Sequence, residues 1–193
     1  MDREYDALPI RELGAGARIR RPSQAQAAKV SVESPALEVM TDLRRTTPAT
    51  IRPQAPLAGA NEFMIARGVR LLLVVDDQEH VLGVISATDI LGERAMRVAT
   101  GRAMRRDELT VADVMIPAEQ VEVIALEDAA ASRVGHVLET LRRAGRQHAL
   151  VADGEHMVCG IFSLSQVARQ LGVTVATGGE VARTFSEIEA AIK

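Results

Sequence analysis

An internal repeat constrains the fold of this chain more than any other feature of its sequence. The segment GVRLLLVVD begins at Gly68, and its counterpart GRQHALVAD begins 77 residues later, at Gly145. Beyond the aspartate that closes each segment, VLGVIS and VCGIFS recur at the same offset. Self-similarity at a fixed spacing is typical of a duplicated supersecondary unit. We therefore expect two copies of one α/β unit.

The repeat continues upstream with a small change of length, because LEVM ends at Met40 and VADVM ends 75 residues later, at Met115. Each copy has the pattern short strand, helix, strand, turn, strand, helix. In copy one the pattern predicts strands at 50–51, 71–75 and 81–85, a helix over 56–66, and a helix that Ser86 caps and that runs toward Met96. In copy two it predicts helices over 134–144 and 165–171 and strands over 149–152 and 157–162.

These elements divide the chain into five segments. We expect an N-terminal arm (1–34), a first repeat (35–98), a connector (99–108), a second repeat (109–173) and a strand and helix extension (174–193). A single copy of about 60 residues buries little surface, so we expect the two copies to pack sheet to sheet. The final helix has one apolar face, formed by Val181, Phe185, Ile188 and Ile192.

Composition argues against several functional classes. The net charge is −3, and the chain has three phenylalanines, one tyrosine and no tryptophan, so neither a nucleic acid nor an anionic membrane is an expected partner. The longest apolar run, 71–75, is too short to cross a bilayer. The one cysteine, Cys159, excludes an internal disulfide, and we expect a small buried hydrophobe in a cytoplasmic protein.

Catalytic and metal sites are not predicted either. The four histidines are scattered without metal-ligand spacing, and no nucleophile is placed beside a base. We therefore expect no metal ion, no required cofactor and no enzymatic activity, although a small enzyme that acts on nucleotides is the third alternative.

The repeated motifs resemble those of the CBS (cystathionine-β-synthase-type) domain family. They are VMT ending at Thr41, VMIP ending at Pro117, the two glycine-to-aspartate segments, and GVISATD over 83–89. The resemblance covers about residues 35–173, and its specificity comes from the order and spacing of the motifs. It implies an α/β (α+β) tandem pair, or Bateman module, with pseudo-twofold symmetry. Such modules often dimerise, and they bind AMP, ADP, ATP or S-adenosylmethionine in clefts between the copies.

The resemblance also implies a ligand site in copy one. The family's motif is a glycine, two hydrophobic residues, Ser or Thr, two variable positions and an Asp, which Gly83, Ser86 and Asp89 match in full. Asp89 would accept hydrogen bonds from the ribose hydroxyls, while Ser86, Thr88 and a helix N-terminus would bind phosphate. The adenine pocket would form around the first short strand and the strand after the helix, at Ala49, Thr50, Ile51, Gly68 and Arg70.

Copy two departs from this motif, because Gln166 stands three residues after Ser163 where the ribose-binding Asp is expected. A neutral amide bonds one hydroxyl but cannot accept from two hydroxyls as a carboxylate does. We therefore expect one good nucleotide site per chain, at Asp89, and an altered, weak or empty second site.

Two observations have simpler explanations. A serine followed three residues later by Asp or Gln is also close to a helix capping box, which would account for both copies equally. The arginine run from Arg94 to Arg106 could reach phosphates or a partner, but such runs are commonly solvated helix faces.

Our hypothesis is a stand-alone regulatory module that binds an adenosine-containing ligand and signals in trans, as a homodimer, to an effector protein. The alternative is a structural dimerisation or scaffold module without a ligand.

Overall fold

The computed structural model describes residues 30–155, 157–173, 185–188 and 190. Copy one contains β1 (Thr41–Asp42), β2 (Thr50–Ile51), α1 (Leu57–Arg67), β3 (Leu71–Val75), β4 (Val81–Ser86) and α2 (Ala87–Leu91). The chain then forms α3 (Glu93–Gly101), α4 (Val111–Val114) and β5 (Ile116–Pro117). Copy two continues with β6 (Val123–Ala125), α5 (Leu126–Ala131), α6 (Val134–Ala144), β7 (His148–Ala152), β8 (Val158–Ser163) and α7 (Leu164–Gln170). Short 3-10 helices lie at Ala36–Val39, Arg106–Glu108 and Ala118–Gln120.

The strands of the described residues form two four-stranded sheets that exchange one edge strand each. The orders are β2-β3-β4-β5 and β1-β8-β7-β6, so β5 joins the sheet of copy one and β1 joins the sheet of copy two. Thr41 pairs with Ile161, and Ile116 pairs with Val84. Ile161 and Val84 are equivalent in the repeat, so Thr41 and Ile116 occupy equivalent places. The predicted fold class is confirmed.

The residues of β3 alternate between two cores. Leu73 and Val75 pack with Val84 and with Leu150 of the other sheet, which forms the core between the sheets. Leu72 and Val74 point the other way, into the core beneath the helices. Because both faces of β3 are covered, its sequence is a continuous apolar run rather than an alternation.

Two glycines at equivalent positions end the long helices. Gly68 follows α1 with φ 64°, and Gly145 follows α6 with φ 61°, both in the left-handed conformation that closes helices. The single helix predicted from Ser86 toward Met96 is wrong, because α2 ends at Leu91 and α3 starts after the extended residue Gly92.

The described part of the C-terminal extension packs on copy two. Phe185 and Ile188 are buried in the core that α6 and α7 share, as the predicted apolar face requires. The other two residues of that face, Val181 and Ile192, lie outside the described residues, as do arm residues 1–29 and the predicted strand beyond Val173. None of the helices in the described part of the chain has the length and hydropathy to span a membrane.

Candidate functional site

Three candidate residues meet where β4 ends and α2 begins. The Ser86 hydroxyl lies 2.9 Å from that of Thr88, and the Asp89 backbone N–H donates to it over 3.3 Å. In return, Asp89 Oδ2 accepts from the Ser86 backbone N–H at 2.9 Å and from the Ser86 hydroxyl. This is a complete capping box, so the simpler explanation of the motif holds in copy one.

Arg70 adjoins these residues through the neighbouring strand. Leu71 pairs with Ser86, and the Ala87 backbone N–H donates to the Arg70 carbonyl oxygen at 2.9 Å. We call Arg70, Ser86, Thr88 and Asp89 the copy-one site. The N–H groups of Ala87 and Asp89 are bonded within the protein and are therefore not available to an anion. The Thr88 hydroxyl and the Arg70 guanidinium are donors that remain.

The residues predicted to surround adenine lie farther away. Thr50 pairs with Leu73 in β3, and the Leu73 N–H donates to the Ala49 carbonyl oxygen at 3.0 Å. β2 and β4 flank β3, which places Ala49, Thr50 and Ile51 about 10 Å from the β4 strand. Gly68 is exposed at the end of α1, two residues before Arg70.

Gly83 lies beneath the exchanged strand β5. A Cβ atom there would overlap the Ile116 carbonyl oxygen and come within 3.1 Å of Pro117 Cα. The close approach that this glycine permits is therefore made by protein backbone. At the equivalent Gly160, a Cβ atom would meet the Met40 side chain instead, with Met40 Cε at 3.1 Å.

Copy two uses the same positions differently. The Ser163 and Ser165 hydroxyls lie 3.1 Å apart, but Ser163 forms no side-chain cap on α7. Gln166 Oε1 instead accepts a hydrogen bond from the Thr41 hydroxyl on the exchanged strand β1, at 3.1 Å. We call Thr41, Ser163, Ser165 and Gln166 the copy-two site. The prediction that capping explains both copies equally is wrong.

His148 is a polar residue of this region that the sequence interpretation overlooked. It pairs with Ser163 and occupies the place that Leu71 has in copy one. Its side chain faces the core between the sheets, as that of Leu150 does. Burial and, to a smaller extent, the positive charge of Arg70 lower the pKa of His148 to about 4, so the imidazole is neutral at pH 7. The sequence carried a signal for this residue, because His148 aligns with the apolar Leu71 in the repeat.

Three side chains of the arginine run form hydrogen bonds or an ion pair at the junction between the copies. Arg94 donates to the carbonyl oxygens of Val114 (2.6 Å) and Met115 (3.0 Å), Arg102 pairs with Asp113, and Arg106 donates to the Ile90 carbonyl oxygen at 2.7 Å. These three side chains bind protein groups, so the expectation of a merely solvated face is wrong for them.

Cys159 and the acidic groups provide no further chemistry. Cys159 is buried, its thiol lies 3.6 Å from the Val151 carbonyl oxygen, and burial raises its pKa. It is the small buried hydrophobe that the sequence predicts. Within the described ranges, no cluster of three or more His, Cys, Asp or Glu side chains could hold a metal ion.

Comparison with known proteins identifies the fold. Residues 36–95 match the CBS domain family model. An uncharacterized conserved protein from Pyrococcus horikoshii superposes with a TM-score of 0.56 at 20% identity, covering 77% of this chain and all of that one. A CBS domain pair solved with 5′-methylthioadenosine and S-adenosyl-L-methionine gives 0.53 at 19% identity, covering 72% and 96%. A CBS domain protein from Thermoplasma acidophilum gives 0.52 at 17%, covering 79% and 76%. No curated protein matches the sequence significantly. Copy one is thus similar in sequence to a CBS domain, and the two copies together have the fold of a CBS domain pair.

Proposed function

We propose that this tandem CBS pair is a regulatory module that binds an adenosine-containing ligand, namely AMP, ADP, ATP or S-adenosylmethionine, at the copy-one site. The observation that carries the proposal is the hydrogen bonding of the Asp89 carboxylate, which engages one oxygen and not the other. Its Oδ2 atom caps α2, while Oδ1 has no hydrogen-bond partner among the described residues. The carboxylate can therefore stabilise the helix and accept hydrogen bonds from a ligand.

The donors around Asp89 suit such a ligand. A carboxylate oxygen has two lone pairs and can accept from both hydroxyls of a ribose. The Thr88 hydroxyl can donate to a phosphate oxygen. The Arg70 guanidinium has no hydrogen bond or ion pair within the described residues, and guanidinium groups bind phosphate bidentately. The similar CBS pair that was solved with two adenosine derivatives supports this class of ligand.

The way the copies interlock supports a regulatory output. Arg70 of copy one acts electrostatically on His148 of copy two, and β5 completes the sheet that carries Asp89. A ligand at the copy-one site would therefore affect the packing between the copies. We propose that this change passes, in a homodimer, to an effector protein, without catalysis by the module itself. The buried thiol of Cys159 is consistent with a reducing cytoplasm.

The second candidate is a structural dimerisation or scaffold module without a ligand. One observation favours it, because both residues at the ligand-motif position have partners inside the fold. Asp89 caps its own helix, and Gln166 accepts from Thr41.

Thermal unfolding with a panel of ligands separates the two candidates. A ligand at 100 times its Kd stabilises the folded state by about 2.7 kcal/mol, which raises Tm by several degrees. We expect at least one of AMP, ADP, ATP and S-adenosylmethionine to produce this shift. Asp89→Asn should abolish it, with loss of about 1 kcal/mol from the unliganded fold because the cap weakens.

The matched control is Asp113→Asn. Asp113 forms the same capping box with Thr110 at α4, outside the copy-one site. This variant also loses the ion pair with Arg102, so it should lose at least as much stability as Asp89→Asn and keep the ligand-induced shift. If none of the four ligands moves the melting curve of the unmodified chain, the sensor proposal is wrong and the scaffold proposal stands.

A further inference from the structure

His148 places an imidazole at the edge of the core between the sheets, where the surrounding side chains are leucines, valines and isoleucines. The imidazole forms no hydrogen bond with another of the described residues. None of the side-chain nitrogens or oxygens in this part of the chain is both buried and without a partner, so the two ring nitrogens of His148 reach solvent. A ligand beside the core can therefore approach them.

Arg70 is the charged side chain that acts on this imidazole from the other copy. It precedes Leu71, which borders the same core and is the repeat equivalent of His148. The strands that flank β7, which are β6 and β8, carry no charged side chain, and Arg146 just before β7 pairs with Glu122. Burial and, to a smaller extent, repulsion from Arg70 therefore keep the pKa of His148 low.

An anion held by Arg70 would act on His148 in the opposite direction. A phosphate group offsets the charge of the guanidinium and adds negative charge of its own, which favours the protonated imidazole. Proton binding and anion binding then strengthen each other, because the coupling between two ligands is reciprocal.

We propose that Arg70 and His148 form a proton-linked anion site across the two copies, in which a phosphate group bound at Arg70 draws a proton onto His148. The inference rests on the proposed function and adds pH as a regulator of the copy-one site. A ligand with a phosphate group binds more tightly as the solution becomes more acidic.

The direction of this effect follows from the protons that each state holds. The unliganded chain protonates His148 only near pH 4, and the complex protonates it at a higher pH. Between these two values the complex holds more protons than the free chain, so affinity rises as the pH falls from about 7 toward 4. Above about pH 7 both states are deprotonated, and His148 no longer affects affinity.

The coupling between the two residues is tested first without a ligand. NMR follows the pKa of His148, whose signal is identified among those of the four histidines by its loss in His148→Gln. Arg70→Met removes the positive charge and should raise the pKa of His148 above about 4. The matched control is Arg67→Met, which removes an exposed arginine of the same copy and should leave that pKa unchanged.

Calorimetric titration with AMP then tests the link to the anion, with ADP or ATP as the probe where the ligand panel shows that AMP does not bind. On going from pH 7 to pH 5, the unmodified chain should gain about three- to tenfold more affinity than His148→Gln gains. The ionisation of the nucleotide itself is the same for both chains and cancels in this comparison. Melting curves at pH 5 establish that each chain is folded during the titration.

Each outcome decides the inference. An unchanged His148 pKa in Arg70→Met, or equal pH dependence of nucleotide affinity in the unmodified chain and His148→Gln, would overturn it and leave the proposed function standing. Binding of S-adenosylmethionine alone would have the same consequence, since that ligand has no phosphate group. If no ligand of the panel binds the unmodified chain, the proposed function fails and the inference fails with it.

Discussion

Copy one and copy two have the same arrangement of strands, but the polar side chains at equivalent positions have different hydrogen-bond partners. In copy one, Asp89 turns back to cap its own helix. In copy two, Gln166 reaches out to Thr41 on the exchanged strand, and α7 starts without a side-chain cap. The exchanged strand differs in the same way, because it carries the apolar Ile116 in the sheet of copy one and the polar Thr41 in the sheet of copy two. The comparison teaches that a duplicated scaffold can change the chemistry of a site through a residue that lies outside the site's own sequence motif.

The helical layers of the two copies have diverged as well. Phe185 and Ile188 cover the core of copy two, beneath α6 and α7. On the helices after copy one's strands, Ile65, Leu91 and Met96 remain exposed. The sheets of the two copies are therefore alike, while their helical surfaces differ.

The sharpest test of the comparison is a methyl group added at the two equivalent glycines. Gly83→Ala would push against the backbone of β5, which cannot move without breaking its pairing with β4, so we expect a loss of about 2–3 kcal/mol in the free energy of unfolding. Gly160→Ala would meet the flexible Met40 side chain and should cost about 1 kcal/mol. Urea denaturation measures both values, and equal losses would show that β1 and β5 constrain their sheets alike.

The second prediction concerns the loss of stability in acid, to which His148 of copy two contributes and its copy-one counterpart Leu71 does not. The folded-state pKa of His148, about 4, lies below the ordinary value of 6.5, so the unfolded chain binds the proton more tightly. The neutral imidazole is therefore fully compatible with folding above pH 6.5, and stability falls as the pH drops from 6.5 toward 4. His148→Leu, which restores the residue of copy one, should remove on the order of 1–2 kcal/mol of the loss between pH 7 and pH 5.

The control for this acid sensitivity is Leu150→Val, which alters the same core between the sheets without changing a titratable group. Denaturation midpoints at several pH values should show the same acid loss in this variant as in the unmodified chain. An unchanged pH dependence in His148→Leu would contradict the assignment.

The smallest expected difference concerns the two serines that precede α2 and α7. Ser86→Ala removes a capping box and should cost about 1 kcal/mol. Ser163→Ala removes a hydroxyl whose one hydrogen-bond partner among the described residues is the Ser165 hydroxyl, so we expect a loss below about 0.5 kcal/mol. Thermal or chemical denaturation resolves the two values, and a larger loss for Ser163→Ala would reverse the comparison.

The repeat made much of this fold predictable. The strands β3 and β7 and the helices α1 and α6 have apolar patterns and glycine stops of their own, and their bounds are predicted within one residue. The strands β1 and β5 are two residues long and owe their existence to pairing with the other copy, which local pattern cannot reveal. Met157 lies at the start of the strand predicted over 157–162, but the strand begins at Val158 and Met157 is 63% exposed.

The candidate site was predictable in its residues but not in its hydrogen bonds. Ser86, Thr88 and Asp89 come together because they are neighbours in the chain. The partner of Gln166 lies 125 residues away, and the burial of His148 depends on the opposing sheet. Long-range contacts of this kind determine which polar atoms remain available to a ligand.

The exchange of β1 and β5 makes the chain a reciprocal domain swap within a single molecule. A cut between α3 and α4 would leave each fragment without the edge strand of its own sheet and with a strand that fits the other fragment. The two fragments would be complementary halves that complete each other on association. Two separate single-copy subunits could pass strands to one another in the same way, and the covalent link between the copies turns that intermolecular assembly into an intramolecular one.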